Sequence, residues 1–148
     1  MKITIEMPAK GDEDEIIIRC RNVSDELLSV INVIKQEQLH VIGYDAKNIV
    51  SLRPAEIYYF ESVDNKVFAY CDKKVYEIKS KLYEIEETYN YFGFFRISKS
   101  AVVNIKKISS ISPLFNGKLT ANLANGEKIV ISRQYVTDLK RKLGIKGR

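Results

Sequence analysis

From Tyr44 to Ile131 the chain is cut into short runs of β-branched and aromatic residues, each closed within a few positions by Asp, Asn, Gly, Pro or Ser. Runs of that length, with apolar and polar residues alternating, suit strands and are too short for a helical core. Ile49 to Leu52, Ile57 to Ser62, Lys66 to Tyr70 and Val75 to Ile78 form a first group. Pro54 with Ala55-Glu56 bends the chain within it, and Asp64-Asn65 and Asp72-Lys73 supply hairpin turns. Phe94 to Ile97, Ile105 to Ser112, Lys118 to Leu123 and Glu127 to Ile131 form a second group. There, Asn116-Gly117 and Asn125-Gly126 favour a meander, because Asn-Gly readily takes the positive φ values of a type I′ turn. Two helices interrupt the pattern. One runs from Ser80, its cap, to Tyr89, with Leu82, Ile85 and Tyr89 on one side. The other is capped by Ser132, buries Tyr135, Val136, Leu139 and Leu143, and stops at Gly144.

Ahead of this β-rich unit, Ile3, Ile5 and Met7 alternate with polar residues, and Glu15 to Cys20 predicts a second strand after a polar turn. Ser24 then caps a helix whose first turn carries Asp25 and Glu26, favourable at the positive end of the helix dipole. Its apolar stripe is broad: Leu27, Leu28, Ile31 and Ile34, widened by Val30 and Val33. The expected class is therefore mainly β (α+β), with antiparallel sheets and short helices. A ββα extension over residues 1–43 precedes a domain over residues 44–148. The extension's helix face suits either the rest of the molecule or a second copy of it.

Bond chemistry lacks its parts. His40 is the sole histidine, flanked by Leu39 and Val41, with no second ligand at metal-binding spacing. The seven glycines are dispersed singly and form no phosphate loop. Asp12 to Glu15 is acidic without the alternate-position spacing of a calcium loop. No enzyme activity, cofactor or small-molecule substrate is expected. No apolar run is long enough to cross a membrane, and the start has no signal-peptide core, so a cytoplasmic protein is expected. Cys20 and Cys71, far apart in strand-like runs, are expected to be buried thiols in a reducing compartment.

Charge separates the two halves. From Tyr89 to Arg148 twelve Lys or Arg face two acids, Glu127 and Asp138, a balance of +10 that leaves −5 on residues 1–88 of the total +5. A polyanion would be drawn to one half and repelled by the other, so nucleic acid is the first partner to expect. Several cations stand where strands end: Lys99 within Ser98-Lys99-Ser100, and Arg133 just after the last strand. The hydroxyls of Ser98, Ser100 and Ser132 and the free N–H groups opening the last helix can serve phosphate oxygens, or can simply cap and turn. Nine tyrosines and six phenylalanines leave a single-stranded nucleic-acid binder open as an alternative, and a basic protein-interaction module is another.

Phe94-Phe95-Arg96-Ile97-Ser98-Lys99-Ser100-Ala101-Val102-Val103-Asn104, then Asn125-Gly126-Glu127-Lys128 and Val130-Ile131-Ser132-Arg133-Gln134-Tyr135, resemble the LytTR DNA-binding domain family. Ile57 to Ser62 resembles that family's second strand, so the likeness spans roughly Tyr44 to Leu143. The resemblance implies antiparallel sheets with short helices and a mode in which loops and strand ends, not a recognition helix, enter the major groove of double-stranded DNA. Carried over by position, it implies base contacts from Lys66 or its neighbour Asn65, from Lys99 and from Arg133. Arg96 and Ser98 to Ser100 resemble the family's loop that meets the backbone or a base edge; with Arg96, Ser98 and Ser100 taken as backbone contacts, Ser132, Lys106, Lys107, Lys118, Lys140 and Lys142 are added as phosphate contacts, the lysines supplying affinity. Asn104, inside an apolar run, is assigned a structural hydrogen bond. Many members carry His or Asn where Ser98-Lys99 stands, and most regulators of the family place a receiver domain before the DNA-binding unit, for which residues 1–43 are too short. The chain thus resembles a small stand-alone bacterial branch, for which a homodimer on repeated half-sites and a membrane-protein partner are implied.

Overall fold

The computed structural model describes residues 2–145; the basic residues Lys146 and Arg148 lie outside that range. Helix α1 (Asp25–Gln38) opens the regular structure, and Ser24 caps it by accepting from the Leu27 amide at 3.1 Å. Ten strands follow: β1 (Val41–Asp45), β2 (Asn48–Leu52), β3 (Ile57–Val63), β4 (Lys66–Cys71), β5 (Val75–Ile78), β6 (Phe94–Ser98), β7 (Ala101–Asn104), β8 (Ile108–Pro113), β9 (Leu119–Leu123) and β10 (Lys128–Ile131). Helix α2 (Leu82–Tyr89) separates β5 from β6, and α3 (Arg133–Lys142) follows β10.

All pairings are antiparallel. Seven strands form one sheet in the order β2-β1-β5-β4-β3-β7-β6, and three form a second in the order β10-β9-β8. The three-stranded sheet shows one face to a core, whereas the seven-stranded sheet is covered on both faces around β3, β7 and β6. Phe60, Ile57, Val67, Ala69, Ile78 and Val102 pack with Leu82 and Ile85 of α2 in the first core. Tyr59, Ile97, Val103, Leu119, Ala121, Ile131 and Leu139 of α3 fill the second. Strand β3 serves both, and an irregularity between Ile57 and Tyr59 lets Tyr58 and Tyr59 both join the second core.

Several sequence expectations do not hold. The two strands expected over Ile3–Met7 and Glu15–Cys20 are absent: residues 2–23 form no ladder. The chain does reverse between them, with the Asp12 amide bonded to the Ala9 carbonyl at 3.0 Å and Gly11 at φ 96°. A two-stranded ribbon has little stability alone, and no further strand or core covers these two segments among the described residues; Ile3, Ile5, Met7, Ile16 and Ile17 stay exposed. Cys20 is accordingly exposed, not buried. The expected division at residues 43 and 44 falls inside β1, whose Val41 is buried in the first core.

The run taken as one strand from Ile105 to Ser112 becomes a strand only at Ile108, and a strand not expected from the sequence precedes it. Ala101–Asn104 pairs with β3 and β6, then Ile105–Lys107 make a 3-10 turn before β8. Asn104 causes the break: its buried side chain donates to the Ile57 carbonyl at 2.9 Å and accepts from the Lys106 amide at 3.1 Å, the structural role expected of it. Helix α2 starts at Leu82, so its cap is Lys81 and not the expected Ser80. Glu84 accepts from the Lys81 amide at 3.0 Å, which fixes the start there.

Candidate nucleic-acid interface

Three backbone features bring separate turns to one end of the molecule. The β3–β4 hairpin closes through Asp64 and Asn65, both in the left-handed region at φ 50° and 63°, as a two-residue type I′ turn requires. Beside it lies the β6–β7 turn, joined by the Ser62 amide donating to the Ser100 carbonyl at 2.8 Å. The Ser132 amide donates to the Ile97 carbonyl at 2.8 Å, which sets the start of α3 against the same turn. Residues distant in sequence thereby share one rim: Asn65 and Lys66, Ser98 to Ser100, and Ser132 with Arg133.

The β8–β9 loop joins the rim from the other sheet. A Cβ placed on Gly117 would lie 3.0 Å from Arg133 Cδ, so the loop rests against the arginine's stem and brings Lys118 with it. Asn65, Lys66, Lys99 and Arg133 are exposed, and among the described residues neither lysine nor the arginine is paired with a carboxylate. The Ser132 hydroxyl makes no capping bond to α3.

Arg96 occupies a different position from the backbone contact expected of it. Its guanidinium donates through Nε to the Ser98 carbonyl at 2.8 Å, through Nη2 to the Lys99 carbonyl, and through Nη1 to Glu86 Oε2 at 3.2 Å. All three nitrogens are engaged, with the side chain only 20% exposed, so Arg96 clamps the Lys99 turn from inside. Ser98 Oγ accepts from the Ser100 amide at 3.2 Å and lies 3.4 Å from Ser100 Oγ, so these hydroxyls shape the same turn.

The remaining lysines do not join this rim. Lys106 and Lys107 follow β7 at the end opposite Lys99, about 10 Å or more away at the rise of an extended strand. Lys107 Nζ sits 4.9 Å from the centre of the Tyr58 ring. Lys140 and Lys142 are seven and nine positions along α3 from Arg133, about 10–13 Å at the helical rise, and Lys142 Nζ lies 4.9 Å from the Phe95 ring centre. These four cations lie away from the rim.

Near that opposite end, burial first and then Glu127, Tyr70 and Glu61 push the Tyr59 phenol well above its ordinary range. Tyr70, stacked on Tyr59 with ring centres 4.3 Å apart, is raised by burial and by Glu61, whose Oε1 its hydroxyl meets at 3.4 Å. Among the described residues no group of three or more His, Cys, Asp or Glu could hold a metal ion, and no helix is long and apolar enough to cross a membrane.

The model of the LytTr DNA-binding domain matches residues 47–144. The chain belongs to the LytTr DNA-binding domain family. A sensory transduction protein LytT from Enterococcus faecalis is 32% identical over 111 residues, covering 75% of this chain and 45% of that protein. The chain therefore spans less than half of that relative. An uncharacterised HTH-type transcriptional regulator from Staphylococcus aureus is 29% identical over 147 residues, covering 98% of this chain and 99% of its own. A solved LytTr DNA-binding domain from Bacillus cereus superposes with a TM-score of 0.68 at 23% identity, over 72% of this chain and 97% of the other, a likeness of fold. In this LytTr chain strands separate the three α-helices, so among the described residues no two consecutive α-helices form a helix-turn-helix pair.

Proposed function

We propose that this LytTr protein is a bacterial transcription regulator that reads duplex DNA by presenting its four-turn rim to the major groove. The supporting observation is the convergence of Lys66, Lys99, Lys118 and Arg133, drawn from both sheets, on one end of a rigid β framework. Arg133 is the principal base reader: its guanidinium can donate two bonds to guanine O6 and N7, a pairing worth about 1–3 kcal/mol of discrimination. Lys99, held by the Arg96 clamp, and Asn65 or Lys66 contact base edges in adjoining positions. Lys118, Ser132 and the free amides opening α3 take phosphates. Lys106, Lys107, Lys140 and Lys142 add long-range attraction from outside the rim.

So small a set of base contacts yields useful selectivity only when two copies bind repeated half-sites. Residues 2–38 serve that pairing: two unladdered segments with exposed Ile3, Ile5, Ile16 and Ile17 are followed by α1 with Val30 and Val33 exposed. A second copy offers the same open backbone edges, so each chain can satisfy the other reciprocally. The protein works in the cytoplasm, where Cys20 and Cys71 stay as thiols.

The test is fluorescence anisotropy on duplexes selected from a random pool, with salt varied. Binding should weaken as salt rises, with a log–log slope of about −0.9 for each phosphate neutralised by a lysine or arginine. Arg133→Ala should lower affinity for selected duplex about 10- to 100-fold, the equivalent of about 1–3 kcal/mol, and random duplex much less. Equal loss on both would make Arg133 a phosphate contact. Tighter binding to single strands than to duplex would instead support a stacking surface.

A further inference from the structure

Phe115 is an aromatic side chain left in solvent on the β8–β9 loop of the rim. It is 68% exposed at the tip of the β8–β9 loop. Tyr91, 74% exposed, lies beside Gly93, whose carbonyl accepts from Ile105 at the far end of β7. A single exposed aromatic residue is ordinary on a protein surface, so exposure alone assigns nothing. The geometry of the loop adds the rest.

The loop is closed by two backbone bonds, Leu114 amide to Lys118 carbonyl at 3.0 Å and Lys118 amide to Phe115 carbonyl at 3.3 Å. Asn116 at φ 59° and Gly117 at φ 74° make the sharp reversal that leaves Phe115 at the tip. Gly117 rests on the Arg133 stem, at 3.0 and 3.2 Å from Cδ and Cγ for an added Cβ. Lys118 Nζ lies 5.6 Å from the centre of the Phe115 ring. The ring therefore lies beside a cation able to take a phosphate and two residues before the glycine that rests on the Arg133 stem.

We propose that Phe115 is a specificity residue that packs on the C5-methyl group of a thymine next to the guanine read by Arg133. In the major groove that methyl is the only apolar group a base pair presents, and an apolar side chain is its natural complement. A phenyl ring exposed on the loop that rests against Arg133 would otherwise be pressed against polar base edges without compensation. This rests on the DNA-reading role of the rim, and the test keeps the two claims apart.

The experiment replaces thymidine by deoxyuridine, one position at a time, in a duplex selected by the full chain. Wild type should lose about four-fold in affinity at one position beside the Arg133-dependent guanine, the amount expected for one methyl group removed from contact. Phe115→Ala should bind the original duplex about four-fold more weakly and show no further loss at that position. Phe115→Leu should restore part of the sensitivity, and unchanged melting temperatures would show that both variants are folded. If wild type binds every deoxyuridine duplex equally while Arg133→Ala still weakens selected duplex more than random duplex, the Phe115 assignment is wrong and the rim stands. If Arg133→Ala weakens selected and random duplex equally and no deoxyuridine matters, both are wrong.

Discussion

Replacing Arg96 separates a clamp from a DNA contact. Arg96→Ala removes three donated bonds: two to the carbonyls of Ser98 and Lys99 and one to Glu86. At about 1 kcal/mol net for each carbonyl bond, with less from the Glu86 pair because that carboxylate is substantially exposed, the loss is about 2–3 kcal/mol. For a chain of this size, that is a melting temperature lower by about 6–9 °C. Arg96→Lys keeps a charge beside Glu86 but cannot bridge both carbonyls, so about half the loss should remain. Thermal unfolding followed by circular dichroism gives these values, and anisotropy on a selected duplex gives the second readout. Affinity should fall with stability in both Arg96 variants, because Lys99 is no longer aimed, whereas Lys99→Ala should weaken DNA binding with melting unchanged. An Arg96→Ala protein that melts normally yet loses one phosphate's share of the salt slope would refute the clamp and restore the backbone contact expected from sequence.

Other outcomes follow from the same geometry. Asn104→Ala strands the buried Ile57 carbonyl and should cost about 1–3 kcal/mol, read by denaturant unfolding. Gly43→Ala would put a Cβ 2.8 Å from Tyr76 Cβ and 3.0 Å from Leu52 Cδ1 inside the first core, and should cost about 1–3 kcal/mol in the same assay. Burial pushes the Cys71 thiol up to about 11, so at pH 8 iodoacetamide should modify exposed Cys20 well before Cys71, by peptide mass spectrometry. The phenols of Tyr59, Tyr70 and Tyr89 are raised in the folded state, so stability is complete below pH 10, the ordinary tyrosine value, and declines above it as the unfolded chain ionises first. Tyr59→Phe should flatten that alkaline decline in urea midpoints measured from pH 9 to 11.

The strand pattern was legible because each run is short and its turn chemistry strict: Asp64-Asn65 takes the two positive φ values its hairpin needs. The helices were legible from their apolar spacing. Two kinds of feature were not. Strand β1 contains Gly43 at a core position, where contact with Tyr76 substitutes for a side chain, so period alone does not reveal it. The Ile3–Met7 and Glu15–Cys20 segments have strand periodicity without any partner among the described residues, and periodicity does not report whether a partner exists. At the site, position along the chain identified the exposed Lys99 and Arg133, yet it could not tell Arg96, folded back on two carbonyls, from a cation facing solvent. Nor could it tell Lys106 and Lys107 from the rim, since only the strand register places them at the other end of β7. Phe115 carried one local signal, its place just before Asn116-Gly117, which marks a loop tip, but the seating of that loop on the Arg133 stem arises from the packing of the two sheets.

The most direct measurement is amide hydrogen exchange by mass spectrometry on the full chain, with and without a selected duplex. Added duplex should slow exchange in peptides covering residues 62–66, 97–100, 114–118 and 131–135 together, and leave residues 105–107 and 124–128 unchanged. Slowing confined to residues 105–107, 124–128 and the end of α3 would place the DNA on the opposite side and contradict the rim as the reading surface.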